Sequence, residues 1–295
     1  MTASLAEVDL RGACICIGNF DGVHLGHRAL LARMRQVSET EGVPSLVVTF
    51  FPPARVVFAG ATFLSSAAEK VELLAEYGPD TVVMLRFDAE FARTEPREFV
   101  EALARLTPHS LIVGEDFRFG KDRAGGLGEL HAAAPRVEAF GLVEHDGEVV
   151  KSSKIREHLA AGRVERANAL LGRPYFARGT VTQGAQRGRT IGFPTANVEL
   201  DARKALPIGV YAVSVKVGAE TYGGMANVGP RPSFEEEPPA LEVHLFDFGA
   251  DIYGLEIEVG FHAFLRAQRR FSGLDELKQQ LAVDGTAARA ALAHL

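Results

Sequence analysis

Two histidines three residues apart, His24 and His27, close the run Gly18-Asn19-Phe20-Asp21-Gly22-Val23-His24-Leu25-Gly26-His27. Ala13–Ile17 ahead of it reads as a short buried strand, Gly18 and Gly22 mark a turn, and Leu25 to Met34 carries the apolar spacing of a helix. Strand, glycine turn and helix form the layout in which backbone N–H groups and a helix dipole attract phosphate. At i and i+3 on the first helical turn the two imidazoles face the same way. They can donate hydrogen bonds to phosphate oxygens and stabilise the negative charge that grows in a transition state.

A second group of chemically capable residues lies at Arg187-Gly188-Arg189-Thr190-Ile191-Gly192-Phe193-Pro194-Thr195-Ala196-Asn197. Its glycines let backbone amides approach phosphates, and Thr195 and Asn197 offer oxygens to a Mg²⁺ ion that keeps most of its water. No Gly-x-x-x-x-Gly-Lys-Ser/Thr occurs in the chain, which argues against a P-loop kinase. A kinase acting on a primary alcohol needs a carboxylate to take the hydroxyl proton. Glu242 is the candidate base, a carboxylate set in the apolar strand Leu241–Leu245. The alternation of Leu241, Val243 and Leu245 with Glu242, His244 and Phe246 equally fits a residue that faces solvent on a barrel strand.

The elements that must position these groups differ between the two halves. Up to about residue 172, the strands Ser45–Phe51, Thr81–Phe87 and Ser110–Val113 alternate with the helices Arg28–Glu39, Ala67–Tyr77 and Pro96–Leu106. This pattern predicts a doubly wound parallel sheet, with Ser65 or Ser66 capping the second helix. After about residue 175, the strands Ala177–Thr182, Gly209–Val217, Leu241–Phe248 and Glu256–Phe264 predict a small antiparallel barrel. Leu274–Ala282 and Thr286–His294 read as two closing helices, the first capped by Ser272 or Gly273. Ile155–Leu171 reads as a helix pair joining the halves.

Composition narrows the class. A hydrophobic content of 47% and a charged content of 24% are those of an ordinary globular protein. The net charge of −6, without any Lys/Arg run, excludes an electrostatic nucleic-acid surface. Cys14 and Cys16 read as core thiols of a reduced protein, with no partner at zinc spacing. The first twelve residues lack the plan of a signal peptide, and the longest apolar runs are strand-sized, so a cytoplasmic protein without membrane spans is expected.

Gly18–His27 resembles the HxGH signature of the nucleotidylyltransferase superfamily and, in its fuller form, the adenylylating domain of the prokaryotic bifunctional riboflavin kinase/FMN adenylyltransferases. Arg187–Asn197 resembles the GRxxGFPTAN signature of riboflavin kinases. Asn227-Val228-Gly229-x-Arg231-Pro232 and Leu241–Leu245 are similar to two further blocks of that domain. Gly114–Lys121 resembles a GxDFRFG block, which implies flavin contacts for Asp116, Phe117, Arg118 and Phe119. Ser152-Ser153-Lys154-Ile155-Arg156 resembles an SSTxIR block, which implies phosphate contacts for Ser152, Ser153 and Arg156, alongside Gly18, Asn19 and Asp21. Arg266 and Gln268 fall in a flavin-contacting block in which the family usually has Glu at the second place.

The resemblance spans nearly the whole chain and implies a Rossmann-like adenylyltransferase domain at 1–172 and a riboflavin kinase barrel at 173–295. The implied reactions are phosphorylation of riboflavin to FMN and adenylylation of FMN to FAD, with ATP as co-substrate and Mg²⁺ as cofactor. The partners implied are small molecules, with no nucleic acid and no membrane; a homo-oligomer is left open. Three departures bear on adenylylation. Lys151 stands for a Ser, and Phe51 and Pro53 stand for Glu and His in a loop expected beside ATP. They leave a monofunctional riboflavin kinase as one alternative, and a flavin- or nucleotide-binding regulator without turnover as another.

Overall fold

Short apolar strands buried on both faces need neighbours on both edges and cover above and below, the situation of a parallel sheet in an α/β unit. In the computed structural model, which describes residues 5–183, 192–229 and 239–293, the chain divides into two units, Met1–Ser152 and Ser153–Leu295. The first holds β1 (Cys14–Ile17), α1 (Leu25–Glu41), β2 (Ser45–Phe51), α2 (Ala54–Ala59), α3 (Ala67–Ala75), β3 (Thr81–Arg86), α4 (Pro96–Ala104), β4 (Ser110–Gly114), α5 (Leu127–Leu130) and β5 (Val137–Phe140). The strands pair in parallel in the order β3-β2-β1-β4-β5. Every residue of β1 is buried, with Ile15 and Ile17 packed in one cluster with Phe99, Leu103 and Leu111. Strand order reverses at β1, so the crevice of this sheet lies beyond the carboxyl ends of β1 and β4. Gly18–His27 follows β1 and Gly114–Lys121 follows β4, which brings the two predicted motifs to that crevice.

The helices start and stop for local reasons. Ser66 caps α3 in a reciprocal capping box with Glu69, and Gly42 ends α1 in the left-handed region at φ 65°. A short hairpin, β6 (Glu144–His145) with β7 (Glu148–Val149), precedes α6 (Ser152–Ala160), whose first residue is the last of the first unit.

In the second unit α7 (Val164–Leu171) leads to β8 (Tyr175–Thr182), β9 (Ala196–Glu199), β10 (Gly209–Val217), β11 (Glu220–Gly229), β12 (Ala240–Leu245) and β13 (Glu256–Arg266). They close an antiparallel barrel in the order β10-β11-β12-β9-β8-β13. Its interior is filled by alternate residues, among them Tyr211, Val213, Val243, Val259 and Phe261. Asn168 ties α7 to this barrel, donating to the Phe261 carbonyl at 2.8 Å and accepting from the Tyr175 N–H at 2.7 Å.

One expectation is corrected. The two closing helices are a single helix, α8 (Leu274–Ala291), with Gly273 at its N-cap. Gly285 inside a helix costs about 1 kcal/mol relative to Ala. The packing of its neighbours outweighs that. Asp284 is 3% exposed and accepts from Arg266 at 2.9 and 3.1 Å and from Gln280 at 2.7 Å, while Ala288 packs on Met225 and Phe246.

Candidate functional site

The loop after β1 is bent against its backbone preferences. Phe20 and Val23 have φ of 46° and 39°, and Gly22 has φ of 83°. Strain of this kind costs about 1–3 kcal/mol per residue and survives only where surrounding bonds over-determine the shape. They do so here. The buried Asp21 carboxylate accepts from the N–H groups of Leu64 (2.8 Å) and Ser65 (3.2 Å), and the Ser65 hydroxyl accepts from Gly22 N–H at 3.0 Å. The Ser152 hydroxyl donates to the Asp21 carbonyl at 2.9 Å. Asp21 thus shapes the loop through its backbone neighbours, while Gly18 is half-buried and Asn19 exposed at the loop's start.

This bend delivers His24 to the N-cap of α1, where its Nδ1 accepts the backbone N–H of His27 at 3.3 Å. That bond places the ring hydrogen of neutral His24 on Nε2. The His24 and His27 rings stack at 3.6 Å with 14° between planes, and Phe20 packs on His27 at 5.1 Å. Gly26 makes room for the stack, since a Cβ there would stand 3.3 Å from the His24 ring. Two imidazoles, one at the N-cap and one on the first turn of a helix, form an anion-binding arrangement.

Beyond β4, Asp116 pairs with Lys151 at 3.2 Å, so the lysine that stands where the resembled block has a serine balances a carboxylate of Gly114–Lys121. Arg118 is exposed, and Phe117 stacks on Phe119 at 5.7 Å. Phe119 is buried against Phe99 in the core and serves as the floor of that stack. Phe51 packs on Phe63 at 5.4 Å, and Pro53 sits at the N-cap of α2 without a side-chain cap bond. Ser152 and Ser153 open α6, and Arg156 lies one turn further on, half-buried.

In the barrel, register brings the candidate groups into one row. Thr182 of β8 opposes Asn197 of β9, Asn197 opposes Glu242 of β12, and Glu242 opposes Asn227 of β11. Directly opposed residues have Cβ atoms about 4.5–5.5 Å apart, so the row is contiguous. It lies on the outer face, because Leu241 and Val243 on either side of Glu242 are buried inside. The row continues to Gln268, whose Nε2 donates to the Asn227 side-chain oxygen at 2.9 Å and to the Val228 carbonyl at 3.0 Å. Gly229 admits this contact, since a Cβ there would collide with the Gln268 amide.

His244, two residues along β12, bonds through Nδ1 to the Pro194 carbonyl at 2.7 Å. Because a carbonyl only accepts, Nδ1 carries the hydrogen, and the bond holds Phe193–Thr195 beside the row. A cavity of 320 Å³ opens there, lined by Pro194, Thr195, Ala196 and the turn Phe248–Tyr253. That turn escaped sequence reasoning, although its Gly249, Ala250 and Asp251 after an apolar strand signal an exposed loop. Arg266, expected at the flavin, is engaged by Asp284. Arg187, Gly188, Arg189 and Arg231 lie outside the described residues, while Gly192 is exposed with φ of 84°. Among the described residues, no group of three or more His, Cys, Asp or Glu could hold a metal. The hydroxyl and amide oxygens of Thr195 and Asn197 fit a Mg²⁺ ion bound mainly by water and phosphates.

Comparison with known proteins agrees with both halves. The FAD synthetase family matches residues 6–154 and the riboflavin kinase family residues 171–292. A bifunctional riboflavin kinase/FMN adenylyltransferase of Pseudomonas fluorescens is 41% identical over 95% of this chain and 93% of its own length. Its counterpart in Escherichia coli is 39% identical over 97% of this chain and 95% of its own. A crystal structure described as a macrolide-efflux protein from Streptococcus pneumoniae superposes with a TM-score of 0.88 at 30% identity, covering 98% of this chain and 97% of that one. Among the described residues, no helix is long and apolar enough to cross a membrane. With both halves matched in order and near-complete relatives at this identity, the chain belongs to the bifunctional riboflavin kinase/FMN adenylyltransferase family.

Proposed function

We propose that this chain phosphorylates riboflavin with ATP and then adenylylates the FMN to FAD, releasing pyrophosphate. The observation that carries the kinase step is the row Asn197–Glu242–Asn227 beside the cavity at Thr195. Glu242 takes the proton of the terminal ribityl hydroxyl as its oxygen attacks the γ-phosphorus and the bond to ADP breaks. Thr195 and Asn197 hold Mg²⁺, which supplies charge neutralisation at the phosphates when bound. Arg187, Gly188, Arg189 and Gly192 receive the phosphates, and the cavity lined by Phe248–Tyr253 receives the adenosine. Gln268, held on Asn227, meets the flavin. Arg266 orders α8 through Asp284.

In adenylylation an FMN phosphate oxygen attacks the α-phosphorus of ATP in line as pyrophosphate leaves, and this asks for positioning and electrostatics more than covalent chemistry. His24 and His27 neutralise the growing charge, and Gly18, Asn19 and Asp21 shape the loop that carries them. Ser152, Ser153 and Arg156 contact ATP phosphates. Asp116, Phe117 and Arg118 face the flavin, with Phe119 beneath them. ATP dependence and two buried, unbridged thiols support a cytoplasmic location. Incubation with riboflavin, Mg²⁺ and ATP, followed by chromatography of FMN and FAD, tests both steps at once. FMN accumulating without FAD would mean that Phe51 and Pro53 have cost the chain its second activity.

We assign adenylylation to residues 1–172 and kinase chemistry to 173–295, with folding of the barrel depending on α7. A fragment spanning 153–295 is expected to fold and make FMN. One beginning at Arg173 loses the Asn168 bonds and the burial of Val164, Ala167, Leu170 and Leu171. It is expected to be destabilised by about 2–5 kcal/mol, read from thermal melting. Equal melting temperatures would show that α7 contributes nothing to the barrel.

A further inference from the structure

Lys70 lies on the apolar stripe of α3, in line with Leu73 and Leu74, and is fully buried. Its ammonium donates to the Asn19 carbonyl at 2.7 Å and the Phe50 carbonyl at 2.8 Å, and lies 5.6 Å from the centre of the Phe51 ring. Asn19 opens the histidine loop after β1, and Phe50 stands at the carboxyl end of β2. The cation therefore ties together two segments that border the crevice of the sheet.

Stability does not explain the choice of a lysine. Burial pushes its pKa down to about 8, opposed by the attraction of Asp21. The native unit thus holds this proton less firmly than the unfolded chain does, and near neutral pH the charge works against folding. Of the charged groups around it, Asp21 comes from the β1 loop and gives its carboxylate to the N–H groups of Leu64 and Ser65. Glu69, on α3 itself, turns its carboxylate to the Ser66 N–H. From β2 comes the neutral Thr49 hydroxyl, which donates to the same Asn19 carbonyl at 3.1 Å.

We propose that Lys70 is a positioning residue for adenylyl transfer: its ammonium clamps the histidine loop to the end of β2 and fixes a positive charge beneath the place that receives the ATP phosphates. This rests on the adenylyltransferase reading of the first unit. Charge-assisted bonds are about twice as strong as neutral ones, so loss of the proton weakens both ties and removes the charge together.

The test uses the full chain carrying Lys70→Met, assayed for FAD formation from FMN and Mg·ATP, with FMN formation from riboflavin as the control in the same protein. Adenylylation kcat/KM at neutral pH is expected to fall about a hundredfold, while the kinase reaction stays at the parent's level. In the unsubstituted protein adenylylation kcat/KM, which reports the free enzyme, is expected to decline as pH rises through about 8, and this decline is absent from the variant. Parental adenylylation in Lys70→Met, or the same alkaline decline in both proteins, overturns the proposal. If circular dichroism shows the variant's first unit unfolded, the parent's profile decides alone, and the lack of an alkaline decline overturns it. A parent that makes no FAD at any pH overturns the adenylyltransferase reading itself.

Discussion

In the Glu242→Gln protein, riboflavin phosphorylation is expected to slow by about a hundredfold to ten-thousandfold, the range that removal of a general base produces. Gln keeps the length and packing of Glu on β12, so the register with Asn197 and Asn227 is retained. What it loses is the capacity to accept the ribityl proton. That capacity matters chiefly in the transition state, so affinities for riboflavin and Mg·ATP should stay near the parent's while kcat falls. Adenylylation of supplied FMN should not change. Near-normal FMN production would show that Glu242 is only an outward residue of the barrel, the alternative that its exposed-face position leaves standing.

For His27→Ala the expected effect falls on the other reaction. FAD formation should drop by about a hundredfold to a thousandfold, as for loss of one preorganised donor, while FMN formation continues. The substitution is clean in one respect. The N-cap bond to His24 comes from the backbone N–H of residue 27, which alanine retains, so α1 keeps its start. The stack on His24 and the contact with Phe20 are lost with the ring. Equal loss of both activities would refute the assignment of the two chemistries to separate sites.

Much of this was legible because local chemistry and tertiary context agreed. Ser45–Phe51 is a run of residues that favour strands, and its ends in the structure are those the sequence predicts. β11 was invisible because Gly223, Gly224 and Gly229 depress strand propensity. Close packing requires Gly224 as well as Gly229, since a Cβ on Gly224 would sit 2.6 Å from the His244 carbonyl. The edge strand Val137–Phe140 is too short and too exposed to show a period. The histidine pair was legible as a motif, but its geometry was not. His24 is an N-cap residue outside the helix, and the stacking of the rings depends on a backbone bend at Phe20 and Val23 that no propensity favours. Lys70 belongs to no motif and is one of seven lysines. The signal was its phase, three and four residues before Leu73 and Leu74, where a charged group has no solvent to reach.

The two thiols of the chain, Cys14 and Cys16, both sit on β1 at the centre of the parallel sheet, and burial raises the pKa of each above its ordinary value. A thiol reagent needs thiolate and access, and the folded sheet gives neither. Alkylation can therefore proceed only through openings that expose the central strand, which makes its rate a clock for unfolding of the first unit alone. The barrel has no cysteine and leaves no mark on that clock. A nucleotide bound to the folded sheet suppresses such openings in proportion to its occupancy. Slowed alkylation thus weighs ATP or FMN on the first unit with no turnover.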